Sequence, residues 1–313
     1  MTKMINKHWG LADIPSQVGR LAVVTGATGG LGYETALGLA LAGGEVVLAG
    51  RNDGKGAEAL RRVRAANPHW TVRFELLDLA SLDSVKQFAE RLAKQGRAID
   101  LLVNNAGVMA PPKRLTTKDG FELQFGTNHL GHFALTGLLL PLLREGKSPR
   151  VTTVSSLMHR MGAAIHFEDL QWTRSYNPER AYAQSKLANL LFALELQRKS
   201  DERGWGLLSD AAHPGGSSTD LIANGLGESS LKGKVSGVVV RLLGQSAEQG
   251  ALPSLYAATA LEAQPGGYYG PDGWFEMKGQ VQPAMISQQA GDAELARKLW
   301  DVSGELTGVT WPR

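Results

Sequence analysis

"VVTGATGGLGYETA", residues 23–36, runs a short β-branched apolar stretch into a cluster of glycines and then into helix-forming residues. The surrounding "RLAVVTG" reads as a strand, and "GYETALGLALAGG" reads as a helix closed by Gly43 and Gly44. Between them Gly26, Gly30 and Gly32 are spaced Gly-x-x-x-Gly-x-Gly, with Gly29 extra. Glycine allows a sharp turn and lets a pyrophosphate approach the helix N-terminus with no Cβ in the way. Free N–H groups and the helix dipole would supply the anion affinity. A merely flexible glycine-rich loop is the alternative; the strand before it and the helix after it favour nucleotide binding.

Outward from this turn the pattern repeats. "EVVLAG", "TVRFELLDL", "IDLLVNNAG" and "PRVTTVSS" read as further strands, and "WGLLSDAAHPG" as a weaker, more polar one. "GKGAEALRRVRAAN", "LDSVKQFAERLAKQG", "DGFELQFGTNHLGHFALTGLLLPLLREG" and "PERAYAQSKLANLLFALELQRKSDERG" read as the intervening helices. Strands rich in Val and Leu, buried on both faces and alternating with helices, predict an α/β fold: a doubly wound parallel sheet with helices on both faces. No internal repeat, low-complexity tract or linker interrupts it, so residues 1–313 are expected to form a single domain. Its expected parts are a cofactor-binding and catalytic core (18–215), a substrate-side segment (216–265), and a last strand with a C-terminal extension (266–313). "GGYYGPDGWF" supplies that strand, with Tyr268 and Tyr269 as packing residues.

The end of the second strand bears on which nucleotide binds. An acid there would bond a ribose 2′-hydroxyl. Gly50 occupies that place and Arg51 follows it. An arginine can fork a phosphate and stack on adenine, which predicts NADP(H) over NAD(H); a solvated surface arginine is the alternative. Asp78, after the third strand, can accept from an adenine amino group or cap the next helix, as Ser81 can.

Composition sets the bounds. Of 313 residues, 43% are hydrophobic and 20% charged, with a net charge of +3 and no dense Lys/Arg block, so nucleic-acid binding is not expected. No cysteine is present, which excludes disulfides and thiolate metal sites and fits a reducing, cytoplasmic address. No apolar stretch reaches about 18 residues without charge, and none resembles a signal peptide, so no integral membrane segment is expected. His129, His132, His159 and His166 lack a matching ligand constellation, so no metal is expected.

Tyr182 and Lys186 lie one helical turn apart in "RAYAQSKLANLLF", residues 180–192. Such pairs are common on helix surfaces and mean little alone. They stand here with Thr25-Gly26-x3-Gly30-x-Gly32, Asp78, the "NNAG" run Asn104–Gly107, Asn128, Ser156 and "HPGG" from His213. In that order along the chain they resemble the short-chain dehydrogenase/reductases over nearly the whole length. The stretches "TNHLGHFALT", "RVTTVSSLMHR", "IHFEDLQW" and "YAQSKLANLLFALEL", with a 26-residue spacing from Ser156 to Tyr182, resemble the retinol-dehydrogenase-like branch. That branch also includes protochlorophyllide reductases and WW-domain-containing oxidoreductases. No N-terminal anchor of the kind found in several animal retinol dehydrogenases, and no WW module, is recognised.

The resemblance implies a Rossmann-type fold and a set of roles. Tyr182 is implied as proton donor and acceptor, its phenol brought down from about 10 by Lys186 and an oxidised nicotinamide. Lys186 would also bond the nicotinamide ribose. Ser156 would hold the substrate oxygen, with Ser155 as its rival. Asn128, a poor helix former in an apolar helix, is either a satisfied core amide or, by resemblance, the residue holding a water that links Lys186 to solvent. "NNAG" is a turn by composition; by resemblance Asn104 steadies the sheet, while Asn105, Ala106 and Gly107 border the cofactor. Gly26, Thr28, Gly30, Leu31 and Gly32 would receive the pyrophosphate end. Arg51, Asn52, Asp78 and Leu79 would receive the adenosine end. Pro214 and Gly215 would shape the loop beside the nicotinamide, and Thr219 would meet its carboxamide or the pyrophosphate.

Met158, Trp172 and Tyr176, with Leu157, suggest a fairly large apolar substrate pocket. "ANGLGESSLKGKVSG", within 220–246, reads as a substrate lid or a plain surface loop. The expected partner is therefore a small molecule, and the expected activity an NADP(H)-dependent interconversion of an alcohol and a carbonyl. The alternatives are C=C reduction and a non-catalytic NADP(H)-binding regulator. The long helices around Leu123–Leu143 and Ala181–Arg198 pack against a symmetry mate in many relatives, so a homodimer or homotetramer is expected.

Overall fold

A computed structural model describes residues 8–216 and 245–312. Thr219 and nearly all of the expected lid lie outside those residues. Strands β1 (Leu21–Thr25), β2 (Glu45–Gly50), β3 (Val72–Leu76), β4 (Leu101–Asn104), β5 (Arg150–Val154), β6 (Leu208–Ala212), β7 (Tyr268–Pro271) and β8 (Val281–Pro283) form one sheet. Its order is β3-β2-β1-β4-β5-β6-β7-β8. All neighbours run parallel except β7 and β8, which pair antiparallel. The crossing from β1 to β4 opens a crevice at the C-terminal strand ends, where ligands of such sheets bind.

Alternation along each strand feeds two apolar layers. From β1, Ala22 and Val24 join Val46 and Leu48 on one face, beneath α1 (Gly30–Leu41), α2 (Asp53–Ala66) and α7 (Ala247–Thr259). Leu21 and Val23 join Val47 and Ala49 on the other, beneath α3 (Leu82–Gln95) and α5 (Gly131–Arg144). α6 (Pro178–Arg203) lies on that second face, and α8 (Ala293–Thr307) packs outside α5 and α6. The ends of α6 follow local chemistry. Asn177 caps the N-terminus by accepting from the Arg180 N–H at 2.9 Å, Pro178 needs no donor there, and Gly204 closes it at φ 61°.

Two readings of the sequence are revised. The apolar helix expected from Asp119 is α4 (Leu123–Phe125), a π-turn (Gly126–Leu130) and α5 in succession. β8 had no counterpart in the sequence reading. The outer faces of α5 and α6 are taken within the chain: Trp300 and Trp311 cover Phe133 and Phe192. An assembly through those faces would require α8 to move. Among the described residues no helix is long and apolar enough to cross a membrane.

β6 carries a buried carboxyl. Asp210 is fully enclosed and accepts from Thr152 Oγ1 at 2.7 Å. Burial pushes its pKa up to about 7. The native state therefore holds a proton that the unfolded chain releases near pH 4, so this contribution is whole below pH 4 and is lost as pH rises through 7. Asp210→Asn should gain on the parent by a few degrees in Tm between pH 5 and pH 8. A thermal melt series over that range checks it; a difference constant with pH would refute it.

Candidate active site

The crevice is a cavity of about 640 Å³ at the C-terminal ends of β1, β2, β4 and β5. Its floor is the glycine turn. Gly26 sits at φ +67°, and a Cβ there would lie 2.9 Å from Ala106 Cα. A Cβ on Gly32 would lie 2.5 Å from Gly26 O. Both glycines thus let the turn fold against the "NNAG" segment, whose Asn105 donates to Thr25 O at 2.8 Å. Thr28, Gly29 and Leu31 line the cavity; Gly30 and Gly32 do not, and act by shaping the turn.

Thr25 ties this floor to α5. Its Oγ1 accepts from the Asn105 and Ala106 N–H groups, each at 2.9 Å. It also lies 2.9 Å from His132 Nε2, while His132 Nδ1 lies 2.8 Å from Asn128 O. A carbonyl only accepts, so Nδ1 carries the proton and Nε2 accepts from the threonine. This draws the hydroxyl proton away from Val103 O, 3.3 Å off.

At one end of the cavity stand Arg51, Asn52 and Asp78. Asn52 also caps α2, accepting from the Lys55 N–H at 2.9 Å. Asp78 accepts from the Ala80 N–H at 3.1 Å, and Ser81 is the cap of α3. A Cβ on Gly50 would lie 2.9 Å from Thr28 Cγ2, so an acid there would displace Thr28. Lys55 joins Arg51 in the lining and was missed in the sequence; it stands in the first turn of α2, four residues after Arg51, which was the available signal.

At the other end Ser156, Tyr182 and Lys186 converge, with Ala106, Gly107 and Pro214 beside them. Burial pushes the Tyr182 phenol up to about 12, and a Ser156 hydrogen bond only partly opposes it. Lys186 Nζ donates to Val154 O at 3.0 Å and lies 5.7 Å from the Tyr182 ring centre. Burial brings Lys186 itself down to about 8. The serine pair divides by direction: Ser155 Oγ donates to Lys186 O at 2.8 Å, whereas Ser156 caps a short 3₁₀ turn, Leu157–Arg160. Asn128 is not in the lining. Its Nδ2 donates to Val108 O at 3.0 Å and Ser185 Oγ at 2.9 Å, and its Oδ1 accepts from Val108 N, so its side-chain amide is satisfied in the core.

Two residues read as substrate contacts lie elsewhere. Trp172 is buried and packs edge-on to His166. Tyr176 donates to Pro111 O at 3.0 Å and accepts from Gln124. The apolar lining is instead methionine-rich: Met109, Met158, Met161 and Met277, four of the seven in the chain. Met277 lies beyond Phe275 and Glu276, non-glycine residues at φ 51° and 57°. Such conformations cost of order 1–3 kcal/mol each and persist where surrounding contacts enforce them.

The family model described as short chain dehydrogenase matches residues 20–226. The chain belongs to this family. It falls in the retinol-dehydrogenase-like branch of these short-chain dehydrogenases, being 43% identical to human (Homo sapiens) retinol dehydrogenase 13 over 96% of this chain and 87% of that protein. Mouse (Mus musculus) polyprenol dehydrogenase is 44% identical over 95% of this chain and 86% of that protein. A solved, uncharacterized protein of Mycobacterium paratuberculosis is 40% identical, with a TM-score of 0.79 over 97% of this chain and 99% of that one. A short chain dehydrogenase of Shigella flexneri complexed with NADP shares the fold at 22% identity, with a TM-score of 0.64 over 82% of this chain and 97% of that one. The short-chain dehydrogenases bind a nicotinamide cofactor, and this member is an oxidoreductase of alcohol or carbonyl groups.

Proposed function

We propose that this short-chain dehydrogenase uses NADP(H) to interconvert an alcohol and a carbonyl on a fairly bulky apolar substrate, with Tyr182 as general acid and base. The observation that carries the reading is the polarity of one cavity. Arg51 and Lys55 stand at one end, and Ser156, Tyr182 and Lys186 at the other. A dinucleotide laid along the glycine turn would place its 2′-phosphate toward the two cations and its nicotinamide toward the hydroxyls. The bound nicotinamide supplies hydride chemistry; the chain supplies orientation and the proton. Ser156 holds the reacting oxygen, and Tyr182 Oη delivers the proton to it as negative charge develops. Lys186 adds a fixed positive charge behind the phenol. Four unbranched, polarisable methionines suit a large apolar group of variable shape.

A screen of NADPH oxidation against bulky ketones, aldehydes and enones tests the reading. Turnover of carbonyls supports it, and turnover of enones alone refutes it. The cofactor assignment has its own test. NADPH should bind at least about tenfold tighter than NADH, a difference of about 1.4 kcal/mol. Arg51→Ala should erase most of that gap without altering the melting temperature, because the side chain is exposed and makes no hydrogen bond among the described residues. Fluorescence titration of both cofactors gives the ratio; equal affinities in the parent would sink the assignment.

A further inference from the structure

We infer that Met277 is a specificity-determining residue of the carbonyl site, and that Glu276 is the positioning residue that holds it there. The inference rests on the proposed carbonyl chemistry and names a wall of that site.

Met277 sits in the turn joining β7 to β8, remote in sequence from every catalytic residue. It reaches the cavity because its backbone locks onto the loop after β6. Gly216 N–H donates to Met277 O at 2.8 Å. A Cβ on Gly215 would meet Met277 O at 2.5 Å, and one on Gly216 would meet the Met277 methyl. The loop that borders the nicotinamide end is therefore packed flush against Met277. Met277 shares the cavity with Met158 and Met161, which follow Ser156. A substrate whose oxygen rests on Ser156 must fit its apolar part among these three side chains.

Glu276 explains why the turn holds this shape. Its Oε2 lies 3.1 Å from Arg160 Nη2 and 3.1 Å from His213 Nε2, and its Oε1 accepts from Met285 N–H at 3.1 Å. The His213 approach is a close polar contact rather than an aligned hydrogen bond. His213 Nδ1 accepts from Gly215 N–H at 3.2 Å, which leaves the ring proton on Nε2, facing the carboxylate. Arg160 ends the 3₁₀ turn that Ser156 caps, and His213 begins the loop that Met277 covers. One carboxylate thus joins the serine turn, the nicotinamide-side loop and the segment after β8. The left-handed backbone at Phe275 and Glu276 is what these contacts enforce.

The test uses the full-length protein with NADPH and two aldehydes, one narrow and unbranched, one carrying a wide isoprenoid group. Met277→Ala should shift the ratio of their kcat/KM values toward the wide aldehyde by about tenfold or more. NADPH affinity should stay within about twofold. Met277→Leu, which nearly conserves volume, should leave the aldehyde ratio near the parent value. Glu276→Ala should move the ratio in the same direction, and combining it with Met277→Ala should add little, because both act through one wall. Hydrogen exchange gives a readout that needs no turnover: Gly216 N–H, bonded to Met277 O, should exchange about tenfold faster in Glu276→Ala. Glu276→Gln and Arg160→Gln serve if Glu276→Ala does not fold, and should show the same change in smaller measure.

If the parent binds NADPH but reduces neither aldehyde, the carbonyl reading fails. The inference is then judged by calorimetric affinities of the two aldehydes and by exchange. An unchanged aldehyde ratio, or unchanged affinities, in folded Met277→Ala overturns the specificity claim. Unchanged Gly216 exchange in the Glu276 and Arg160 variants overturns the positioning claim.

Discussion

Tyr182→Phe should lower turnover by about 10²- to 10⁴-fold, the range that positioned proton transfer supplies. The residue is 6% exposed, so the substitution removes one oxygen and keeps the packing of the ring. Lys186 holds its place through Val154 O rather than through the phenol, so NADPH affinity should survive. Burial keeps the phenol protonated to about pH 12, so reduction should start from the resting state throughout the neutral range. Oxidation must first remove that proton, and its rate should climb with pH. Stopped-flow transfer rates and a cofactor titration read both effects; near-normal turnover in a folded, NADPH-binding Tyr182→Phe protein would show that the proton comes from elsewhere.

Trp300→Ala should cost about 3–5 kcal/mol of stability, the usual range for emptying a buried tryptophan site. The ring is 7% exposed and meets Trp311 at 4.5 Å, Phe133 at 5.1 Å and Phe192 at 5.8 Å between ring centres. Urea unfolding measures the loss, and Trp300→Phe should recover part of it. Light scattering adds a second reading: loosening α8 bares the faces of α5 and α6, so the variant should self-associate more than the parent. A loss below about 1 kcal/mol would mean that α8 contributes little to the core.

The sheet was legible because β1, β2, β4 and β5 are nearly pure Val, Leu, Ala and Thr, a composition that only burial on both faces explains. β6 read faintly because Ser209 and Asp210 stand in it. They are accommodated by Ala193 O, Gln197 and Thr152, partners no local pattern reveals. β8 left no trace: three residues ending in Pro283 suit only a sheet edge. Within the site, the sequence reading, from a strand end for Arg51 and from the family resemblance for Ser156, Tyr182 and Lys186, singled out residues that line one cavity. It misplaced Trp172 and Tyr176, whose aromatic character suits a pocket and equally suits packing against His166 and Pro111. Met277 was invisible because its place depends on a pairing between distant segments. The π-turn announced itself only through Asn128, a residue ill-suited to an apolar helix.

The histidine between Thr25 and Asn128 also sets an acid limit for the molecule. Burial brings His132 down to about 4, with the Asn128 carbonyl opposing and the Lys186 charge assisting. An unfolded imidazole titrates near 6.5. The stability conferred by the neutral ring is therefore complete above that value and drains away as pH falls toward 4. A proton added at Nε2 abolishes the acceptor for the Thr25 hydroxyl. Acid would then uncouple the glycine turn from α5 through the loss of a single hydrogen bond.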